Sequence, residues 1–208
     1  MRHPIRVRNL APALAALAAA GLLTGCLGTE PAPERPAARK APEAKAAGNT
    51  VGATGTACAL PVSFALLPDW KPQAVTVSDG DEIAAAFGKQ GPATMVCEVD
   101  AKPAGNIGFL RVWSAGKGPA RAALEGFVKA EKNASKVTFN AIAAGGMDAT
   151  EATYTVYNKI MEESKEERAF ALSTPKGTVI IHLGGLDTQE HREMLPAYEL
   201  ARSSVKAL

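Results

Sequence analysis

Hydrophobic and polar positions alternate along most of the chain from Leu60 onward, with the period of strands more often than of helices. Leu60–Leu67 reads as a first strand, closed by Pro68-Asp69 ahead of Trp70. Ala74–Val77 reads as a second, stopped at the turn signal Ser78-Asp79-Gly80. Asp81 is placed to cap a short helix that runs through Phe87 and ends at Gly88. In Ala93–Asp100, Ala93, Met95, Cys97 and Val99 share one face while Thr94, Glu98 and Asp100 share the other, as in a half-buried strand. Gly108–Ser114 repeats the pattern, with Leu110 and Val112 opposite Phe109, Arg111 and Trp113. Pro119 suits the first turn of a helix whose Leu124, Phe127 and Val128 lie on one side and which fades near Asn133.

Three further strands follow at Lys136–Ile142, Thr150–Tyr157 and Glu167–Ser173, the first pair turned by Gly145-Gly146. The charged run from Glu162 to Arg168 reads as the solvated end of a hairpin rather than a site. Pro175-Lys176-Gly177 turns into Thr178–Leu183, whose β-branched content marks a central strand. A last helix starts at Asp187 or Thr188, with Met194, Tyr198, Ala201, Val205 and Leu208 recurring at spacings of four and three. Pro196 inside that pattern predicts either a kink or a later start. The plan is an antiparallel sheet packed by helices, an α+β sandwich over residues 57–208, large enough for one hydrophobic core.

The first 56 residues follow a different pattern. Arg2, Arg6 and Arg8, with no acid among residues 1–9, precede an uncharged stretch from Leu10 to Leu23 that is almost wholly Ala, Leu and Gly. That fits a secretory leader and falls short of the roughly 18 apolar residues of a membrane span. Leu23-Thr24-Gly25-Cys26 then resembles the lipobox of bacterial lipoproteins. The resemblance implies that Cys26 takes a diacylglyceryl group, that residues 1–25 are removed, and that Cys26 becomes the mature N-terminus. An ordinary signal peptide with a chance Cys is the alternative. Two acyl chains hold a protein on a membrane where one binds only marginally, so the expected location is the outer face of the cell membrane, anchored by lipid. Residues 26–56 are rich in Pro, Ala, Lys and Glu, with Pro31, Pro33, Pro36 and Pro42 blocking helix, and read as a disordered spacer.

Charge and cysteine count refine this picture. The chain has formal charge +2, but without the three leader arginines twenty basic residues face twenty-one acidic ones, so no basic field argues for nucleic acid. With Cys26 lipidated, Cys58 and Cys97 remain in an oxidising compartment and read as a disulfide, two separately buried thiols being the alternative. Closing a loop of about 40 residues stabilises a fold by roughly 4 kcal/mol. Two distant Cys, with no CxxC or HxxxH spacing elsewhere, do not make a metal site.

Motif chemistry is sparse. No GxSxG, Walker, HExxH or dinucleotide-type glycine pattern occurs, so neither an enzymatic activity nor a cofactor is expected. His182 shares the Thr178/Ile180 face of its strand and reads as a structural histidine first, a ligand or acid–base group second. His191, among Glu190, Arg192 and Glu193, reads as solvated on an exposed helical turn, and Gly184-Gly185 as the turn into the last helix. Trp70, Trp113 and Tyr154 are side chains suited to line a ligand cleft, with core packing the alternative for each.

Phe64 through Pro68-Asp69-Trp70 resembles the opening strand and corner of PsbP-like domains, with Asp69 where that corner often has Gly. The strand–turn–strand at Pro175-Lys176-Gly177 and the closing helix ending Ala201-Arg202-Ser203-Ser204-Val205 are similar too. Within that group, actinobacterial lipoproteins of the LpqN kind share the order of lipobox, spacer and domain. The resemblance implies an α/β/α sandwich with a mainly antiparallel sheet and a non-enzymatic role, and it transfers no catalytic residue. The expected protein is an exported, membrane-anchored lipoprotein whose domain binds or scaffolds another envelope protein. A carrier of a small hydrophobic or lipidic ligand is the alternative.

Overall fold

The computed structural model describes residues 49–208 apart from Asp79, Asp81 and the side chain of Ile83. The leader, Cys26, the spacer up to residue 48 and the Asp81 cap lie outside the described residues.

Two sheets organise the body. In the small one, β2 (Val62–Ala65) lies between β1 (Thr50–Val51) and the C-terminal β11 (Lys206–Ala207), paired antiparallel to both. The large one has eight strands, all paired antiparallel: β3 (Lys71–Ala74), β4 (Lys89–Gln90), β5 (Ala93–Asp100), β6 (Gly108–Ala115), β7 (Ala134–Ala144), β8 (Met147–Asn158), β9 (Glu163–Thr174) and β10 (Gly177–Gly185). Its order is β3-β5-β6-β10-β9-β8-β7, with β4 also on β5, so β10 is central as its Val and Ile content predicts. The helices are α1 (Glu82–Gly88), α2 (Ala120–Ala130) and α3 (Thr188–Ser204).

Strand alternation sends side chains to two cores. Val179, Ile181 and Leu183 of β10 join Leu110, Val112, Phe170 and Leu172 against Met194, Ala197, Tyr198 and Ala201 of α3. Ile180 joins Trp113, Ala169 and Ala171 against Leu124, Phe127 and Val128 of α2 on the opposite face. Each large aliphatic side chain removed from water in this way contributes roughly 1.5–3 kcal/mol before entropy is counted. The Asp187 carboxylate caps α3 by accepting from the Glu190 N–H at 2.8 Å. Gly145 turns β7 into β8 at φ +56°, and a Cβ there would lie 1.7 Å from the Val205 carbonyl oxygen.

Several boundaries differ from the sequence reading, each for a tertiary reason. Thr50–Val51 falls in the expected spacer yet forms β1, and Val51 is 0% exposed, because the free edge of β2 offers it a partner. The second strand is Lys71–Ala74, not Ala74–Val77. Its register is set by the edge of β5, and Pro72 is tolerated because an edge strand has one unpaired side. Ala93, Met95, Cys97 and Val99 do not share a face. A bulge shifts the β5–β6 register between Met95 and Cys97, leaving Ala93 and Met95 in the α2 core and Cys97 and Val99 in the α3 core.

That flip brings Cys97 to Cys58, and a disulfide joins them with a Cα–Cα distance of 5.9 Å. Helix α3 starts at its Asp187 cap and runs through Pro196 to Ser204. Val205 and Leu208 are therefore not helical. Val205 is buried just beyond the last turn, while Leu208 is exposed after β11. Asp69 adopts φ +65°, the left-handed conformation that glycine takes freely and Asp tolerates better than most residues.

Candidate functional site

Helix α2 covers only part of its face of the large sheet. Where the helix ends at Glu131, a cleft of about 460 Å³ opens over β5, β6, β9 and β10. The floor follows from strand parity. Lys165, Glu167, Ala169 and Ala171 alternate along β9 onto this face, as do Arg111 and Trp113 of β6 and Ile180 and His182 of β10. Ala169, Ala171 and Ile180 are roofed by α2, and the charged members fall beyond it.

Glu167 is the centre of this group. It is 5% exposed, and its carboxylate accepts from Lys165 Nζ at 2.7 Å and from His182 Nε2 at 2.7 Å. Burial alone pushes the Glu167 carboxyl up, but His182 and Lys165 outweigh it and hold it below the usual carboxylate value. Lys165 also donates to the Gly185 carbonyl at 3.0 Å, which fixes the ammonium at the strand end. With Nε2–H directed at a carboxylate, the other nitrogen of a neutral His182 ring is an acceptor. Neither His182 Nδ1 nor Trp113 Nε1 has a hydrogen-bond partner among the described residues. The rings pack closely nonetheless. Phe127 meets Trp113 edge-on at 5.2 Å and His182 at 5.6 Å, and Tyr154 stacks on His182 at 6.4 Å. Burial first, then the charges of Glu167 and Glu131, push the Tyr154 phenol well above its usual value, so it stays neutral.

A second ion pair lies beside the first. Arg111 Nε donates to Glu98 at 2.7 Å, and its guanidinium rests over the Phe109 ring at 4.6 Å. Between the two groups lies Gly184. A Cβ there would be 3.3 Å from His182 Cε1, 3.4 Å from Glu167 Oε2 and 3.7 Å from Arg111 Nη1. The missing side chain leaves open the space on which three functional groups converge. The rim is apolar and wet: Phe87 is 76% exposed, Ile107 57% and Leu186 44%.

The structure does not bring Trp70, Trp113 and Tyr154 together. Trp113 lines the cleft, Tyr154 sits beside His182 in the α2 core, and Trp70 is buried in the α3 core across the sheet. The Glu162 to Arg168 run is not simply a solvated hairpin end, because β9 begins at Glu163 and Glu167 is buried. The signal was present, since Lys165 and Glu167 share the parity of Ala169 and Ala171. Gly184-Gly185 belong to β10 rather than to a turn. His191 is 2% exposed, not solvated, because α3 packs its backbone at His191 onto Gly185 and buries the residue beside Tyr154 and Glu167. Burial lowers its pKa to about 4, opposed by Glu167 and Glu166 and assisted by His182 and Arg168. Among the described residues, no group of three or more His, Cys, Asp or Glu is placed to hold a metal ion. No helix there is long and apolar enough to cross a membrane.

Comparison with known proteins gives one family. The family described as "Uncharacterised lipoprotein" matches residues 28–205. No curated protein matches the chain. Among solved structures, the chain is similar to cyanobacterial PsbP (CyanoP) from Synechocystis sp. PCC 6803, at 13% identity and a TM-score of 0.47 over 76% of this chain and 97% of that one.

Proposed function

The chain belongs to this family of uncharacterised lipoproteins, and we propose that its folded body is a non-catalytic binding domain of the cell envelope. On this reading the body is a PsbP-like α/β/α sandwich, carried by lipid on Cys26 at the outer face of the membrane, and the cleft beyond α2 is where it binds. The observation that carries the reading is the cleft itself. About 460 Å³ is within the range of small-ligand sites, and the lining combines apolar side chains such as Phe87, Ile107, Trp113 and Leu186 with convergent charged ones. Most of its ionic groups pair with one another, Glu167 with His182 and Lys165 and Glu98 with Arg111, which suits holding a ligand better than moving protons. No Ser, Thr or Cys is among the described residues that line it.

Two occupants fit a binding domain, another envelope protein or a small hydrophobic or lipidic ligand. A concave site with exposed Phe87, Ile107 and Leu186 at its mouth favours the small ligand. The test is photo-crosslinking in native membranes, with a photoreactive residue in place of Leu186 and mass spectrometry for lipids and proteins alike. A reproducible adduct is expected, and a lipid adduct supports the carrier reading. Loss of every adduct at Leu186, alongside a working control site elsewhere on the body, overturns the binding role of the cleft.

A further inference from the structure

The hydrogen-bond donors in the cleft are not all spent: Arg111 is paired with Glu98 through Nε, and its free Nη edge indicates the head group of a ligand. We propose that the cleft takes an amphiphile bearing a single carboxylate, seated on the Nη edge of Arg111, with its apolar part along Phe87, Ile107 and Leu186. The inference rests on the binding role proposed above for the same cleft.

Four observations support it. Lys165 is committed to Glu167 and to the Gly185 carbonyl, and His182 to Glu167. Arg111 uses only Nε, on Glu98, and its two Nη groups make no hydrogen bond within the described residues. The Phe109 ring under the guanidinium, at 4.6 Å, holds its plane, and Nη1 borders the space left by the missing side chain of Gly184. A planar guanidinium edge with two parallel N–H groups matches a carboxylate and binds it in a fixed orientation. The remaining charge around the cleft limits the ligand to one negative charge. Glu98, Glu131 and Glu167 all line the same space, so every negative charge on a ligand meets repulsion there, and a singly charged carboxylate meets about half that of a doubly charged phosphate. The exposed rim accounts for the rest of the molecule, because three large apolar side chains at the mouth of a charged cleft gain only if an apolar body covers them.

The experiment is calorimetric titration of the full chain carrying Cys26→Ser, which removes the one thiol outside the disulfide. Three probes are used below their micelle concentrations: decanoate, decyltrimethylammonium and acetate. Decanoate is expected to bind about tenfold tighter than decyltrimethylammonium, the scale of one charge-assisted contact, with acetate far weaker than either. Arg111→Gln should abolish the preference for decanoate, while decyltrimethylammonium binds at least as tightly as before because Glu98 loses its partner. Arg111→Lys, which keeps the charge and loses the fork, should fall between, and it serves if the Gln variant does not fold. Gly184→Ala, which places a methyl group in the head-group space, should weaken decanoate most.

Equal affinity for both charged amphiphiles, or decanoate binding indifferent to Arg111, overturns the carboxylate seat while leaving the cleft a binding site. Failure of decanoate to bind overturns it too. If the Leu186 crosslink still captures a ligand, the binding role stands and only the ligand class is wrong. If that crosslink is also empty, both readings fall.

Discussion

On the α3 face of the large sheet, β6, β9 and β10 turn inward Leu110, Val112, Phe170, Leu172, Val179, Ile181 and Leu183. On the α2 face the same three strands, one residue along, present Arg111, Glu167 and His182 beside Trp113, Ala169 and Ile180. The first face is filled and tied by a disulfide. The second is filled only beneath α2 and left open and ionic beyond it. Apolar burial supplies net stability. A buried carboxylate with two partners recovers little more than its own desolvation, so the second face contributes a defined arrangement of charge more than folding free energy. One sheet thus separates holding the fold from presenting a site.

The contrast can be broken experimentally, starting with the largest expected effect. Replacing Cys58 and Cys97 together by Ser should cost about 4 kcal/mol, the loop-closure value for a bond spanning 39 residues, read from denaturant midpoints. An unchanged midpoint would mean that the α3 face holds without its tie.

Next in size is an acid effect at the end of the sheet, where His191 is buried beside Tyr154, Glu166 and Glu167. The folded pKa is lowered, from 6.5 to about 4, so between those values the unfolded chain binds the proton that the native one refuses. Stability from this group is complete above pH 6.5 and is lost as pH falls toward 4, by about 3 kcal/mol in total at 1.36 kcal/mol per unit. His191→Leu should flatten the pH dependence of the unfolding free energy across that window, and an unaltered slope would place the proton uptake elsewhere.

Glu167→Gln keeps the shape and removes the charge that Lys165 and His182 share. It should cost about 2 kcal/mol, the range for hydrogen bonds to charged groups, measured by urea unfolding at neutral pH. Smallest of all is Arg111→Gln. Its pair with Glu98 is partly exposed on both sides, so stability should change by less than about 1 kcal/mol even where ligand binding is lost. A larger loss would make Arg111 part of the folding core and erase the division between the faces.

Much of this was legible in the sequence, and the exceptions share a cause. Leu110/Val112 and Val179/Ile181/Leu183 announce strands because period two survives wherever one face is buried. The bulge near Val96 is invisible by that test, since one extra residue keeps the apolar composition of Ala93–Val99 while reversing the face of its second half. Strands β1, β4 and β11, two residues each, are too short to carry a period and exist because an open edge lies beside them. Glu167 was within reach, but a run of charges reads as solvated unless the parity of Ala169 and Ala171 is carried back through it. The cleft depends on where α2 stops relative to β9 and β10, a tertiary relation with no local signal. Of the three aromatic candidates, only Trp113 lies at that stop.

The position of the disulfide has a mechanical consequence. A pull entering from the N-terminal side first meets β1, held to β2 over only two residue pairs that would peel apart one after the other. Beyond it Gly52 holds to Ala59, Leu60 and Thr56 by a bridge and hydrogen bonds alone. The first covalent stop is Cys58, bonded to Cys97 in β5, so tension passes into the eight-stranded sheet without unravelling β2 or detaching α3. Thr50 to Ala57 then behaves as a short leash that pays out and stops, and the stop holds for as long as the surroundings remain oxidising.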